Sequence, residues 1–171
     1  MSGVLRPETT YYVGIDPGVE GSLGVVDGLG LNPQVFDFHG SHELCIVLDE
    51  LFVNVIDDVV PTLRMVMVER VNAMPKQGVA STFKFGRCYG EIIGVLAAQG
   101  LRCDFASPGV WKKHFSLVRK DKSASRDKAI QLWPEIRDQL SRKKDHGRAE
   151  ALLIAEYNRC SSLILLHHQA Q

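Results

Sequence analysis

Apolar positions change their period several times along the chain, and each change marks a different element. Tyr11–Asp16 (YYVGID) is short, aromatic and β-branched, and Pro17-Gly18 stops it, which predicts a strand running into a tight turn. Gly21–Asp27 (GSLGVVD) fits the returning strand of a hairpin, and Asn32–Phe38 a third strand. From His42 to Asp57 the period lengthens. Leu44, Val47, Leu48, Leu51 and Val55 fall at i, i+3, i+4, i+7 and i+11, the stripe of an amphipathic helix. Arg64–Glu69 (RMVMVE) is almost continuously apolar up to its terminal carboxylate, as expected of a strand buried on both faces. Polar, turn-rich residues 72–78 lead to a long predicted helix over about 79–99, ended by Gly100. Leu101–Ala106 reads as another strand, and Ser107-Pro108 as a helix start with Ser at N-cap and Pro at N1. Residues 116–128 (SLVRKDKSASRDK) form a charged loop. Two short helices follow, around Ala129–Trp133 and Pro134–Leu140, and then a last helix from about 146 to 160.

Three strands, helix, strand, helix, strand and helices make an α/β order. A hairpin start followed by β-α-β crossovers predicts a mixed sheet flanked by helices. The 171 residues suit one domain. Its expected extent is 11–160, with a polar, flexible N-terminal tail at 1–10 and a C-terminal tail at 161–171. Apolar residues make up 45% and charged residues 23%, an ordinary globular composition that argues against disorder, collagen or coiled coil.

Formal net charge is zero, but its distribution is uneven. Residues 1–70 hold three basic and eleven acidic side chains, and residues 112–148 hold twelve basic and five acidic. Such asymmetry hints at a nucleic-acid partner that the sum conceals, although a solvated lysine-rich face would look the same. Cys45, Cys88, Cys103 and Cys160 form no CxxC pair and no short spacing, so neither a zinc site nor a disulfide framework is expected. The first ten residues contain no apolar signal-peptide core, and uncharged runs such as Ile92–Leu101 are far short of the ~20 residues that span a bilayer. The expectation is a soluble protein of the cytoplasm or nucleoid, or of an organellar matrix, without membrane contact.

Three carboxylates stand where a sheet would gather them. Asp16 ends the first strand, Glu69 ends the buried strand, and Glu150 lies early in the last helix before the apolar run Ala151–Ala155. Oxygen ligands on a rigid sheet end suit hard cations such as Mg²⁺ or Mn²⁺. Two of them have a plainer reading too: turn chemistry for Asp16 before Pro-Gly, and a pair with Arg70 for Glu69.

These residues fall within four blocks that together resemble a known family. GIDPGVEGSLGVVD at 14–27 resembles the opening of RuvC-type Holliday junction resolvases of the ribonuclease H-like superfamily. VERVNAMPKQGVASTFKFGRCYGEIIGVLAAQG at 68–100, SPGVWKKHF at 107–115 and KKDHGRAEALLIAEY at 143–157 resemble the phage-type and plastid-type branches, in the same order. The resemblance spans about residues 12–158. It implies a five-stranded ribonuclease H-like sheet and a homodimeric endonuclease acting on branched DNA. Metal-dependent hydrolysis in two opposing strands of a four-way junction would leave 5′-phosphate and 3′-hydroxyl ends. It further implies two Mg²⁺ or Mn²⁺ ions per active site and no nucleotide cofactor. Asp16 would bridge the ions, Glu69 would bind one, and Glu150 would complete the set.

One departure stands out. Many members of that family carry a further acid or a His three positions before the last carboxylate, where this chain has Gly147. At ~100° per residue, His146 lies about 40° from Glu150 on the helix, whereas Asp145 lies about 140° away. His146 is therefore favoured as ligand or general acid/base and Asp145 as the helix cap, with Asp145 as the alternative active-site residue.

The resemblance also gives the basic segment a role. Lys112 aligns with a lysine that contacts the scissile region, and Lys122 is the better candidate for a second, with Lys120 and Lys128 close behind. Lys113, Arg119, Lys143, Lys144 and Arg148 are expected to neutralise phosphates. Asn72, Met74, Lys76, Gln77, Phe83, Lys84, Phe85 and Arg87 are expected to approach the crossover point, where an apolar side chain can wedge between bases. Phe83 and Phe85 cannot share a helix face, so one is assigned to the core. Tyr89, Ile92, Ile93 and Leu96 form a stripe, and Gly86, Gly90 and Gly94 recur every fourth residue. Together they suggest a dimer face, or an ordinary core helix. The remaining histidines, including His39 and His114, are expected on the surface.

Two other functions fit part of this pattern. Gly-x-Asp-x-Gly also opens the phosphate loops of sugar-kinase and actin-like ATPases, but those need a second domain for which 171 residues leave little room. A junction-binding module with a weak or inactive catalytic site is the nearer alternative, kept open by Gly147.

Overall fold

Side chains alternate across a strand, so parity decides which residues meet which layer. The computed structural model describes residues 10–18, 20–53, 62–72 and 78–169. Its five strands are β1 (Thr10–Asp16), β2 (Gly21–Asp27), β3 (Gln34–Phe38), β4 (Thr62–Glu69) and β5 (Cys103–Ala106), in the order β3-β2-β1-β4-β5. β1, β2 and β3 pair antiparallel, while β4 and β5 run parallel to β1. The helices are α1 (Gly40–Val53), α2 (Val79–Ala98), α3 (Pro108–His114), α4 (Ser123–Leu132) and α5 (His146–Gln169), with a 3₁₀ helix at Pro134–Leu140. This is the mixed, helix-flanked α/β sheet that the sequence predicts.

One parity class (Tyr11, Val13 and Ile15 of β1, Leu23 and Val25 of β2, Val66 and Val68 of β4) packs with α1 and α2 in the first core. The other class faces α3, α4 and α5, where Tyr12, Val26 and Met67 meet Trp111, Ala129, Leu152 and Ile154. Asp16, Ser22 and Glu69 belong by parity to this second face. Gly14 and Gly24 stand opposite each other there. A β-carbon on either would run into the α5 backbone between Ala151 and Ala155. The paired glycines let α5 lie directly on β1 and β2, and its small residues Ala149, Ala151 and Ala155 complete the close approach.

The differences from the predicted elements are local. β3 starts two residues late because the Asp27 carboxylate gathers the preceding loop. It accepts the Leu29 and Leu31 N–H groups and the Asn32 amide, and Asn32 takes a left-handed φ of 52°. α1 buries Leu44, Val47, Leu48 and Leu51 as predicted, while Val55 and Met74, Lys76 and Gln77 lie outside the described residues. The charged loop stops at residue 122 rather than 128. The Asp121 carboxylate accepts the N–H groups of Ser123 and Ala124 and so starts α4 early. α5 continues through 161–169, beyond the predicted end near 160, since Ser161–Gln169 contains neither Gly nor Pro to stop it. No helix among the described residues is long and apolar enough to cross a membrane.

Candidate metal centre

Asp16 closes β1 and Glu69 closes β4. The two strands are parallel neighbours, with Ile15 opposite Val68, so the two acids leave the same end of the sheet side by side. α5 enters over the same face and brings Glu150 down one turn after its start. One oxygen from each of Asp16, Glu69 and Glu150 lies within 4.8 Å of the others. The sheet and the last helix thus assemble the three carboxylates expected from the sequence.

Burial, reinforced by the neighbouring charges of Glu69 and Glu150, pushes Asp16 up to about 8. Lys112 and Lys122 act against that rise, which puts both ammonium groups within electrostatic reach of Asp16. Burial also raises Glu69, opposed by a hydrogen bond from Trp111. Lys112 Nζ lies 3.1 Å from Glu150 Oε1 and 4.9 Å from the centre of the Trp111 ring. A converging set of hard oxygen donors with an excess of negative charge fits a divalent cation such as Mg²⁺ or Mn²⁺.

The position three residues before Glu150 also faces this cluster. A β-carbon on Gly147 would lie 3.1 Å from Asp16 Oδ2 and 3.4 Å from Ser22 Oγ. His146 is not part of the carboxylate group. Its Nδ1 is 3.4 Å from the Lys143 carbonyl, and its side chain lines a cleft of about 220 Å³ that also includes Asp16, His39 and Lys144. Asp145 does not cap α5 as expected; it closes the 3₁₀ turn Lys143–Asp145 that precedes that helix. It accepts the Arg142 backbone N–H at 2.7 Å and the Arg142 guanidinium at 2.8 Å. Burial works to raise its carboxyl, and Arg142 outweighs this and holds it below the ordinary range.

Solved structures share this architecture. RuvC of Thermus thermophilus in complex with Holliday junction substrate matches with a TM-score of 0.52 and 20% identity, over 86% of this chain and 90% of that one. A further structure of Thermus thermophilus RuvC gives a TM-score of 0.50 and 20% identity, over 85% and 90%. The chain has a RuvC-like fold. No protein-family model matches the sequence, and no curated protein does.

On this RuvC-like frame the expected DNA-facing cations divide into free and engaged groups. Lys84, Lys113, Arg119, Lys143 and Lys144 are exposed, as is Asn72. Arg87 is exposed too and pairs loosely with Glu91 at 3.5 Å. Lys122 and Lys143 share a cavity of about 470 Å³ with Arg126. Arg148 differs from the expectation, since its guanidinium grips both oxygens of Asp37 at 2.9 and 2.5 Å and donates to the Gln139 carbonyl. Lys120 and Lys128 line a separate cavity of about 690 Å³ with Asp127 and Glu156, and Lys128 bonds Gln131. Phe83 is 73% exposed and Phe85 half-buried, and neither belongs to a core cluster. The stripe of α2 that includes Ile92 and Leu96 packs on its own sheet, and Gly86, Gly90 and Gly94 have open space outward.

Two residues that meet the carboxylates were not expected from the sequence. Trp111 Nε1 donates to Glu69 Oε1 at 2.8 Å, and Ser125 Oγ donates to Glu150 Oε1 at 3.1 Å. The only hint of Trp111 in the sequence is its place beside Lys112. Ser125 lies within the stretch predicted as loop.

Proposed function

We propose that this protein is a structure-selective endonuclease that resolves four-way DNA junctions by metal-dependent hydrolysis of phosphodiesters in two opposing strands. The observation that carries the reading is the convergence of Asp16, Glu69 and Glu150 within 4.8 Å, flanked by Lys112 and Lys122, at one end of a RuvC-like sheet. Two Mg²⁺ or Mn²⁺ ions held there would polarise the scissile phosphoryl group and supply an activated water. Asp16, Glu69 and Glu150 would be the residues that hold the ions. Lys112 and Lys122 face the phosphate and stabilise the negative charge that builds up in the transition state. His146, at the rim of the cleft beside Asp16, acts as a proton carrier for the nucleophile or leaving group. The products are 5′-phosphate and 3′-hydroxyl ends.

The exposed cations Lys84, Lys113, Arg119, Lys143 and Lys144 hold the backbone without reading sequence, which makes binding salt-dependent. Phe83 stands clear of the core near the start of α2 and serves as the apolar wedge at the crossover, where the bases are already distorted. A homodimer presents two such sites to a two-fold junction, with the open glycine face of α2 as the contact.

The test is incubation with a synthetic four-way junction or a linear duplex, with Mg²⁺ or Mn²⁺, for wild type and Asp16→Asn. Paired nicks in the junction alone, absent from the variant, are expected. Junction binding without cutting in either metal would replace this reading with the inactive binding module, and ATP hydrolysis would end it altogether. Light scattering of the free protein is expected to give twice the chain mass.

A further inference from the structure

Each of the two glutamates in the cluster has one oxygen occupied by a donor from the segment between β5 and α5. Trp111 is fully buried in the second core, and its ring is fixed by packing before any ligand arrives. Its edge donates to Glu69 Oε1 at 2.8 Å, while its face carries Lys112 Nζ at 4.9 Å from the ring centre. Lys112 in turn pairs with Glu150 Oε1, which also accepts the buried Ser125 hydroxyl. One indole therefore bonds Glu69 directly and reaches Glu150 through Lys112, and α3 and α4 are tied to the ends of β4 and α5 through the same few atoms.

An indole N–H only donates, and here the Glu69 carboxylate accepts it. The bond fixes the rotation of Glu69 about its last torsion, and the Ser125 bond does the same for Glu150. Among the described residues, Oε2 of neither glutamate accepts a hydrogen bond. The free oxygens are thereby aimed by groups that never touch the ion, and the ordering entropy of both side chains is spent during folding rather than on binding.

We propose that Trp111 and Ser125 are positioning residues that pre-orient Glu69 and Glu150 for a divalent cation, with Trp111 also holding Lys112 over the cluster. This rests on the metal-centre reading above and adds the residues on which its affinity depends. Partners of this kind typically change metal affinity 10- to 100-fold when removed.

The test is a Mn²⁺ titration of the full chain without DNA, following free Mn²⁺ by electron paramagnetic resonance. The proteins are wild type, Asp16→Asn, Trp111→Phe, Ser125→Ala and Ser125→Thr. Phe keeps an aromatic face for Lys112 and loses the donor, and Thr keeps the hydroxyl. Expected is about 10-fold or greater weakening for Trp111→Phe and Ser125→Ala, with Ser125→Thr within about 3-fold of wild type. Thermal unfolding accompanies each titration, and if Trp111→Phe fails to fold the serine pair decides. Wild-type affinity in Ser125→Ala and in a folded Trp111→Phe overturns the proposal while leaving the metal centre intact. No saturable binding by wild type, or none lost in Asp16→Asn, overturns the metal centre itself.

Discussion

Gly147 lies so close to Asp16 that a β-carbon on it would stand 3.1 Å from Oδ2. The helix that delivers Glu150 thus passes the end of β1 with no side chain between them. Gly147→Ala separates two effects of opposite sign. Alanine favours the helix by up to ~1 kcal/mol. Its methyl also presses on Asp16 and on Ser22, which the sheet holds in place. The expected outcome is an unchanged or higher unfolding temperature with about 10-fold weaker Mn²⁺ binding and slower junction cutting. Calorimetry paired with a metal titration checks it, and undiminished affinity would show that Asp16 moves aside freely.

The pH dependence of metal binding follows from Asp16. Its carboxyl ionises near 8 in the metal-free fold against 3.8 ordinarily, so below 8 a bound cation must displace a proton. Apparent Mg²⁺ affinity is expected to rise about 10-fold per pH unit between 6 and 8 and to level off above that. Without metal the stability trend has the opposite sign. A raised folded-state value favours the fold fully below about 4, and that contribution is lost progressively as pH climbs through 8. Chemical denaturation across this range, with and without Mg²⁺, reads both slopes. A flat profile in both would mean that Asp16 is already ionised at pH 6.

Lys112 sits 3.1 Å from Glu150 and offsets the charge on Asp16. Lys112→Met keeps much of the stem and removes the cation. The metal-free protein should lose about 1–2 kcal/mol at pH 8, a value discounted for the partial exposure of the pair. Saturating Mg²⁺ should narrow that difference, because the ion takes over the neutralisation. Cutting should nevertheless fall about 100- to 1,000-fold, since the ammonium also meets charge that develops in the transition state. Equal stability losses with and without Mg²⁺ would separate Lys112 from the metal centre.

Arg148 and Lys143 look alike in sequence and should behave differently. Arg148 is held by Asp37, 111 residues away, whereas Lys143 is exposed. Arg148→Ala is expected to cost about 1–2 kcal/mol of stability in denaturant while leaving the salt dependence of DNA binding unchanged. Lys143→Ala should leave stability unchanged and lower the slope of log affinity against log salt by about 1. Exchange of these two outcomes would reverse the assignment of structural and DNA-facing cations.

By itself, the sequence determined the alternation that sorts β1, β2 and β4 onto two faces, and the helical stripe that puts Leu44, Val47, Leu48 and Leu51 in the core. It also determined that Asp16 and Glu69 end their strands and that Glu150 lies near a helix start. Those features follow from periods of 2 and 3.6 residues, which are local and survive without knowledge of the partner. Only the tertiary structure decided how the long-range partners sort themselves. Asp145 turned out to be tied to Arg142, Arg148 to Asp37, and Phe83 is the more exposed of the two phenylalanines. Trp111, 42 residues from Glu69, and Ser125, 25 from Glu150, gained their roles in the same way. The reason is physical: which donor satisfies a buried carboxylate depends on distances fixed when α5 settles onto Gly14 and Gly24. No local period along the chain encodes that approach.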